Sequence, residues 1–386
     1  VLQCLKTIPR HSNLQEKLSR LLSIFNQKNK FIMKNIIFLI VFSVVLQVDA
    51  QNNNVKSYRL TEYIKWYPAI KQAEMRDEWL KKHDYGDWQF TGMVKASDRT
   101  VVTPQADVNY GYSWFNISNE PIVITMPKYD KYYSLSIFDM NHQMEVVVTP
   151  EKPVVVRLPH QKSPVKDAYE IVLQTYQGLA FTRQVIVNNE KEVLSLANKI
   201  TIEGRQGDYP FIIPEFTKEE EAAGMKEIEK AAENLEGGSK LFGSVYEGVG
   251  DLDRALGVFY GQLGTQARYA NYKLYATDSE GQPLTGDKSY EITIPASGMI
   301  KNKKGYWSLT VYNADDKYLI PNENNIYNAS YYASKSNADG SVTVRINPDG
   351  SGDNAVPTSG KNWYAVLRVY EPVSNIQFPD LQIEKK

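Results

Sequence analysis

Apolar positions along the chain change their period three times. Between Ser57 and His83, Leu60, Ile64, Tyr67, Met75 and Trp79 recur at a spacing of three to four among good helix formers, with Pro68 in their midst. That pattern predicts two short helices meeting near Pro68, because a proline cannot supply the N–H an interior helical turn requires. From Pro121 the period drops to two or to short continuous apolar runs: Ile122–Ile124, Tyr132–Phe138, Val146–Val148, Val154–Val156 and Ile171–Leu173. These runs are β-branched or aromatic and are separated by Pro, Asp, Lys and Gly, which predicts strands. A short helix is expected over Lys191–Ala197, with Asn188 and Asn189 placed to cap it.

The helical period returns over Lys218–Leu235. Thr217 and Glu220 form a capping box, Ala222, Met225, Ile228, Ala232 and Leu235 make one apolar stripe, and Gly237-Gly238 stops it. A further helix over Leu252–Leu263 carries Gly257 and Gly261, with Gly264 just beyond, which points to close approach of another backbone. Strands resume at Tyr272–Thr277, Tyr290–Ile294, Tyr306–Tyr312, Ser341–Ile346 and Trp363–Tyr370. Turn clusters at Ser279–Gly281, Asn337–Gly340 and Pro348–Asn354 punctuate them. The fold expected is mainly β with helical connectors: two β-sandwich or jelly-roll-like domains with mostly antiparallel strands.

The start of the chain reads differently. Met33-Lys34-Asn35 precedes an apolar run of about eleven residues, Ile36–Leu46, and then Val48-Asp49-Ala50. A basic start, a short hydrophobic core and small residues at the cleavage positions are the marks of a secretory signal peptide. The run falls well short of the roughly 20 residues a spanning helix needs. Residues 33–50 are therefore read as a signal peptide, residues 1–32 as an upstream extension of the reading frame, and the location as periplasmic or extracellular, with no membrane anchor after cleavage. Domains are expected at 51–215 and 271–386, joined by a helical connector at 216–270.

Composition narrows the function. With 44 basic and 45 acidic residues the formal charge is -1, so no electrostatic footprint for nucleic acid is present. The only cysteine is Cys4, so a chain cut after Ala50 has neither disulfides nor thiolate chemistry, and its stability rests on packed cores.

Two sets of residues carry a resemblance. Asp98–Pro104, Tyr110–Trp114, Glu120–Val123 and Tyr132–Asp139 resemble domain-of-unknown-function family 1254. Tyr275–Leu284, Tyr306–Tyr312, Asp339–Ser341, Asn362-Trp363, Leu367–Tyr370 and Pro372 resemble its usual partner, family 1214. Together they cover nearly all of Tyr58–Lys386. The resemblance implies two β-sandwich-like domains joined by helices, with a C-terminal jelly roll, in proteins often exported from bacteria, and it brings no reaction with it. The chain departs from the first family where that family has Asn and then Asp-Thr: here Gln105-Ala106-Asp107-Val108-Asn109 stands, with Asp107 and Asn109 the nearest matches. It also lacks the second family's Pro-containing insertion after Asn362-Trp363.

Candidate chemistry is sparse. His83, His142 and His160 make no zinc spacing, and no Gly-x-Ser-x-Gly elbow occurs. Asp139, His142 and Glu145 follow one another at intervals of three at a strand end and, with Arg183, could form an acid–base site; as turn residues, Asp139 and Asn141 would instead cap the backbone. Asp349 and Asp353, in Asp349-Gly350-Ser351-Gly352-Asp353-Asn354, space oxygen ligands as calcium loops do, without the EF-hand's sixth-position glycine or twelfth-position Glu. No cofactor is required, and a structural calcium is the one ion the sequence would accommodate.

The strongest signal is aromatic: 26 Tyr, 13 Phe and 6 Trp. Trp307 and Trp363 sit in alternating strands and belong to the core, whereas Tyr327, Tyr331 and Tyr332 fall in a loop and are the ligand-binding candidates. The leading expectation is an exported protein binding an extracellular glycan or small apolar molecule in an aromatic-lined groove. The alternatives are a hydrolase using Asp139, His142 and Arg183 at the domain interface, or a structural protein assembling into homo-oligomers.

Overall fold

The computed structural model describes residues 57–99, 103–187, 189–235, 240–244 and 246–383. The signal-peptide segment, Asn188 and Gly237-Gly238 lie outside them.

Helix α1 covers 57–80 and runs unbroken through Pro68, in place of the two helices expected. Tertiary burial on both sides of the proline overrides its local cost. Tyr63 and Tyr67 pack into a helical cluster with Ile228, Ala232, Leu241 and Ala255, while Ala73 packs against the sheet with Trp114 and Phe138.

The first domain then lays down β1 (Gln89–Phe90), β2 (Val108–Asn116), β3 (Ile122–Thr125), β4 (Tyr133–Asp139), β5 (Met144–Val148), β6 (Val154–Arg157), β7 (Tyr169–Val172), β8 (Gln177–Val185), helix α2 (Glu190–Ala197) and β9 (Thr201–Glu203). Two sheets result, in the orders β1-β2-β8-β4-β5 and β7-β6-β3-β9, with every pairing antiparallel except β6 with β7. Phe115, Tyr133, Leu135, Ile137 and Ala180 from the first sheet meet Ile122, Ile124, Val154 and Val156 from the second. Asn189 caps α2 by accepting the N–H of Glu192.

Two helices follow. α3 (Lys218–Glu233) starts with the capping box expected of Thr217 and Glu220. α4 (Asp251–Gly261) presses against Leu241: a Cβ on Gly257 would stand 2.6 Å from the Leu241 carbonyl, so only glycine permits the approach.

The second domain contains β10 (Ala270–Tyr275), β11 (Tyr290–Ile294), β12 (Tyr306–Asn313), β13 (Asn328–Ser330), β14 (Val342–Asn347), β15 (Ala355–Pro357), β16 (Trp363–Tyr370) and β17 (Leu381–Ile383). These form sheets β10-β16-β12-β13 and β15-β14-β11-β17, again antiparallel apart from β14 with β15. Trp307, Leu309, Leu367 and Val369 face Ile292, Val344 and Ile346 across its core, and Trp363 is buried there against Tyr290. The protein is thus a pair of mostly antiparallel β-sandwiches with a helical layer.

The first sheet is buried on both faces. Beyond its own sandwich it packs through Trp114, Phe138, Leu179 and Phe181 on Ala73 and Leu263 beside the helices, and through Val108 and Val185 on Ala270, Tyr306 and Tyr370 of the second domain. All nine residues of β8 are accordingly buried.

Candidate interdomain site

Strand β2 is preceded by Gln105-Ala106-Asp107, and this polar segment lies against the second domain. The Gln105 amide uses both ends: Nε2 donates to Asp107 Oδ1 at 3.0 Å and to the Tyr306 hydroxyl, while Oε1 accepts from the Tyr370 hydroxyl. Tyr306 and Tyr370 occupy opposed positions on β12 and β16 and stack at 4.9 Å, with Tyr132 of the first domain against both rings. Arg368 on β16 reaches back across the seam, donating to the Tyr312 hydroxyl at 2.8 Å and to the Thr103 carbonyl at 2.9 Å. Tyr312 in turn donates to the Pro104 carbonyl at 2.6 Å. A buried polar seam of this kind is stable only if its members satisfy one another.

Asp107 is the exception. It is 5% exposed, and only Oδ1 has a hydrogen bond of ordinary geometry, from Gln105, while the Ser308 hydroxyl stands near enough to favour the ionised form. Burial pushes its carboxyl above the usual carboxylate range, against the opposing pull of Gln105, Ser308 and the Arg368 charge. The residue lines a cavity of about 390 Å³ whose other walls come from both domains. Met93, Ala106 and Ile186 belong to the first; Tyr327, Asn328, Ser330, Ser334, Gly350 and Gly352 belong to the second.

The loop residues picked out by their aromatic character divide three ways. Tyr327 is 5% exposed: it packs with Val94, Ala106 and Leu319, donates its hydroxyl to Asn325 at 2.7 Å, and forms part of the cavity wall. Tyr332 is half-buried, accepts the Tyr132 N–H and stacks on Tyr306, so it ties the domains together. Tyr331 is 48% exposed and edges onto Tyr332.

The loop suspected of calcium binding forms the cavity rim. Asp349 accepts the Ser351 N–H at 3.1 Å and Asp353 pairs with Lys335 at 2.8 Å, so the two carboxylates serve different neighbours. Among the described residues no three His, Cys, Asp or Glu side chains gather to hold a metal.

The acid–base grouping of Asp139, His142 and Arg183 does not assemble, and strand pleating is the reason. On β4, residues Tyr133, Leu135 and Ile137 face the sandwich interior, and Asp139 shares their parity. Ser136 and Phe138 point the other way, where Arg183 and His142 lie. Asp139 is 1% exposed, accepts the Gln143 N–H at 2.8 Å, and lines a separate cleft of about 260 Å³ with Ile137, Val147, Ile171, Glu145 and Tyr246. Burial there pushes its carboxyl up to about 7. His142 packs between Phe138 and Phe242 and accepts the Leu263 N–H on Nε2 at 3.1 Å; burial pushes its ring down to about 3. Arg183 donates to the Leu263 carbonyl and to Ser136 Oγ. His142 and Arg183 therefore hold both backbone groups of Leu263, a residue with φ of 67° in the left-handed region, where a leucine needs support.

Residues 88–204 match the family model described as Protein of unknown function (DUF1254), and residues 269–374 match Protein of unknown function (DUF1214). The first match takes in every strand of the first domain, and the walls of the cavity come from both matched segments. No curated protein matches the chain. Among solved structures, the VPA0106 protein from Vibrio parahaemolyticus is similar, with a TM-score of 0.70 at 18% identity, covering 86% of this chain and 100% of that one. A putative uncharacterized protein from Burkholderia cenocepacia gives a TM-score of 0.48 at 11% identity, over 86% of this chain and 89% of that one. The first likeness shows the shared fold.

Proposed function

We propose that this chain, which carries a DUF1254 domain followed by a DUF1214 domain, is an exported binding protein that holds a small ligand in the cavity between the two. Export rests on the signal-peptide pattern of residues 33–50. The binding reading rests on the interdomain cavity: at about 390 Å³ it falls in the size range of small-molecule sites, and its walls come from both domains. The cavity wall also carries Tyr327, one of the aromatic candidates. A glycan unit and a small apolar molecule are the two ligand classes this reading admits.

A thermal-shift screen against saccharides and small aromatic compounds tests it, because a ligand that prefers the native state raises the apparent stability. The control is Ala333→Trp, which puts a large side chain at an exposed position on the cavity wall. A shift seen with the parent protein and lost in Ala333→Trp supports the reading. Shifts of equal size in both proteins would move the ligand elsewhere.

A hydrolytic reading keeps a foothold in one observation. Asp139 lines its own cleft with a carboxyl pushed up to about 7, where a group can exchange a proton near neutral pH. His142 and Arg183, on the other face of the sheet, take no part in that cleft.

A further inference from the structure

The chain passes from α4 to β10 of the second domain through residues 262–269. We propose that this strap is an acid-releasable clasp pinned by His142: a proton on Nε2 turns the ring's acceptor into a donor, and the strap lifts while both sandwiches stay folded.

The strap is fastened in steps along the β4–β5 turn and the start of β5. Leu263 donates its N–H to His142 Nε2 at 3.1 Å, and its carbonyl accepts from Arg183. Gln266 Nε2 donates to the Met144 carbonyl at 3.2 Å and to Glu247 at 2.7 Å. Arg268 then stands 3.4 Å from Glu247 and 3.8 Å from Glu145. Gln262 adds a bond to the Gln72 side chain of α1 at 3.0 Å. The fastening at Leu263 is the one under tension. A leucine at φ of 67° is held in a conformation it rarely adopts, and His142 and Arg183 grip its two backbone groups.

The pin works only as a neutral ring. A backbone N–H can only donate, so Nε2 must carry no proton while the clasp is shut. A protonated ring would set two donors against each other, and it would also be a buried cation with no carboxylate to answer it. The charged groups nearest it are Asp139 in its own turn, Arg183 on β8 and Arg254 on α4; residues 240–244 bring Phe242 against it, and Glu145, Glu247 and Arg268 stand farther along the strap, engaged with one another. Asp139 keeps its proton up to about 7 and so is neutral in acid, while Arg254 repels a second cation. An imidazolium is therefore driven toward water, and the strap over it has to move.

Opening the clasp differs from unfolding the protein. His142 and Leu263 lie on the helical face of the first sheet, whereas Asp139 shares the parity of the sandwich interior, so a lifted strap exposes the ring and leaves Asp139 buried. Unfolding sums two groups that act in opposite senses; opening takes up His142 alone. Burial holds the ring down from 6.5 to about 3, with Arg254 adding to it, so the opened form binds more protons as pH falls below 6.5. From about pH 6.5 to about 4.5 the opening constant should grow about fiftyfold.

The test is amide exchange in the full chain, followed by NMR and corrected for intrinsic rates. Over that range Leu263 should show the fiftyfold rise, while the amides of β8, a strand paired on both sides, change by less than about threefold. His142→Gln keeps a neutral acceptor and should leave Leu263 exchange flat with pH. No rise at Leu263, or a rise undiminished in His142→Gln, overturns the pin. A rise at β8 as large as at Leu263 overturns the clasp, since acid would then be unfolding the whole protein. Should His142→Gln lack the parent's circular-dichroism spectrum, the comparison of Leu263 with β8 in the parent decides alone.

Discussion

Replacing Asp139 by Asn should make the protein's stability respond to pH in a way that can be worked out beforehand. In the native protein the carboxyl is 1% exposed, lies among Ile137, Val147 and Ile171, and is pushed from 3.8 up to about 7, chiefly by burial, against the Gln143 and Asn141 N–H groups and the Arg254 charge. Between those two values the folded protein keeps a proton that the unfolded chain has released. Folded protein thus binds more protons, so this group makes stability fall as pH rises from about 4 to about 7. A span of about three pH units at ~1.4 kcal/mol each amounts to ~4 kcal/mol.

His142 acts in the opposite sense. Its ring is held down from 6.5 to about 3, so its contribution is present above 6.5 and is lost as pH falls toward 3. The two slopes oppose each other over about pH 4 to 6.5, and the parent's own profile will look nearly flat there as far as these groups decide it. The difference between Asp139→Asn and parent removes everything except Asp139. Urea unfolding of both proteins across this range should show the variant gaining on the parent by ~1.4 kcal/mol per pH unit, levelling off above about pH 7. A difference that does not change with pH would refute the buried, protonated carboxyl and with it the acid–base role left open for that cleft.

Two further substitutions test the packing around the sites. A Cβ on Gly178 would stand 2.4 Å from the Phe138 carbonyl and 2.6 Å from the Phe115 ring, so Gly178→Ala should destabilise by about 1–3 kcal/mol in urea unfolding; a loss under ~0.5 kcal/mol would show that the central strands β4 and β8 can yield there. His142→Ala strips the acceptor from the Leu263 N–H and should cost at least about 1–3 kcal/mol at neutral pH, with faster amide exchange at Leu263; unchanged exchange would mean that this amide has another partner.

Local rules were enough to read the elements whose causes are local. The Thr217 and Glu220 box starts α3 because both of its hydrogen bonds span three residues, and the tryptophans at 307 and 363 are buried because their strands alternate. Pro68 points to a break that does not occur, since what carries α1 past it is contact with the sheet and with α3 and α4, from about forty to nearly two hundred residues further along the chain. The Asp139 cluster shows a different limit: spacing along a chain says nothing about which side of a pleated sheet each residue takes, and Arg183 comes from another strand altogether. Asp107 was visible as the nearest match to a family position, yet its importance comes from what stands opposite. A carboxylate beside a glutamine reads as a polar loop until Tyr306, Tyr370 and Arg368 of the other domain close over it.

The sheet β1-β2-β8-β4-β5 serves as a party wall. The sandwich interior leans on one of its faces, the helices and the second domain lean on the other, and its strands β4 and β8 keep no side for water. Such a wall cannot be refurnished one room at a time, because a side chain enlarged toward one neighbour moves backbone that the other neighbour also rests on. Freedom to vary is left to the margins, in the loops and short strands around the two cavities. A protein built this way can change the shape of its clefts by altering the rims while the wall between its rooms stays as it is.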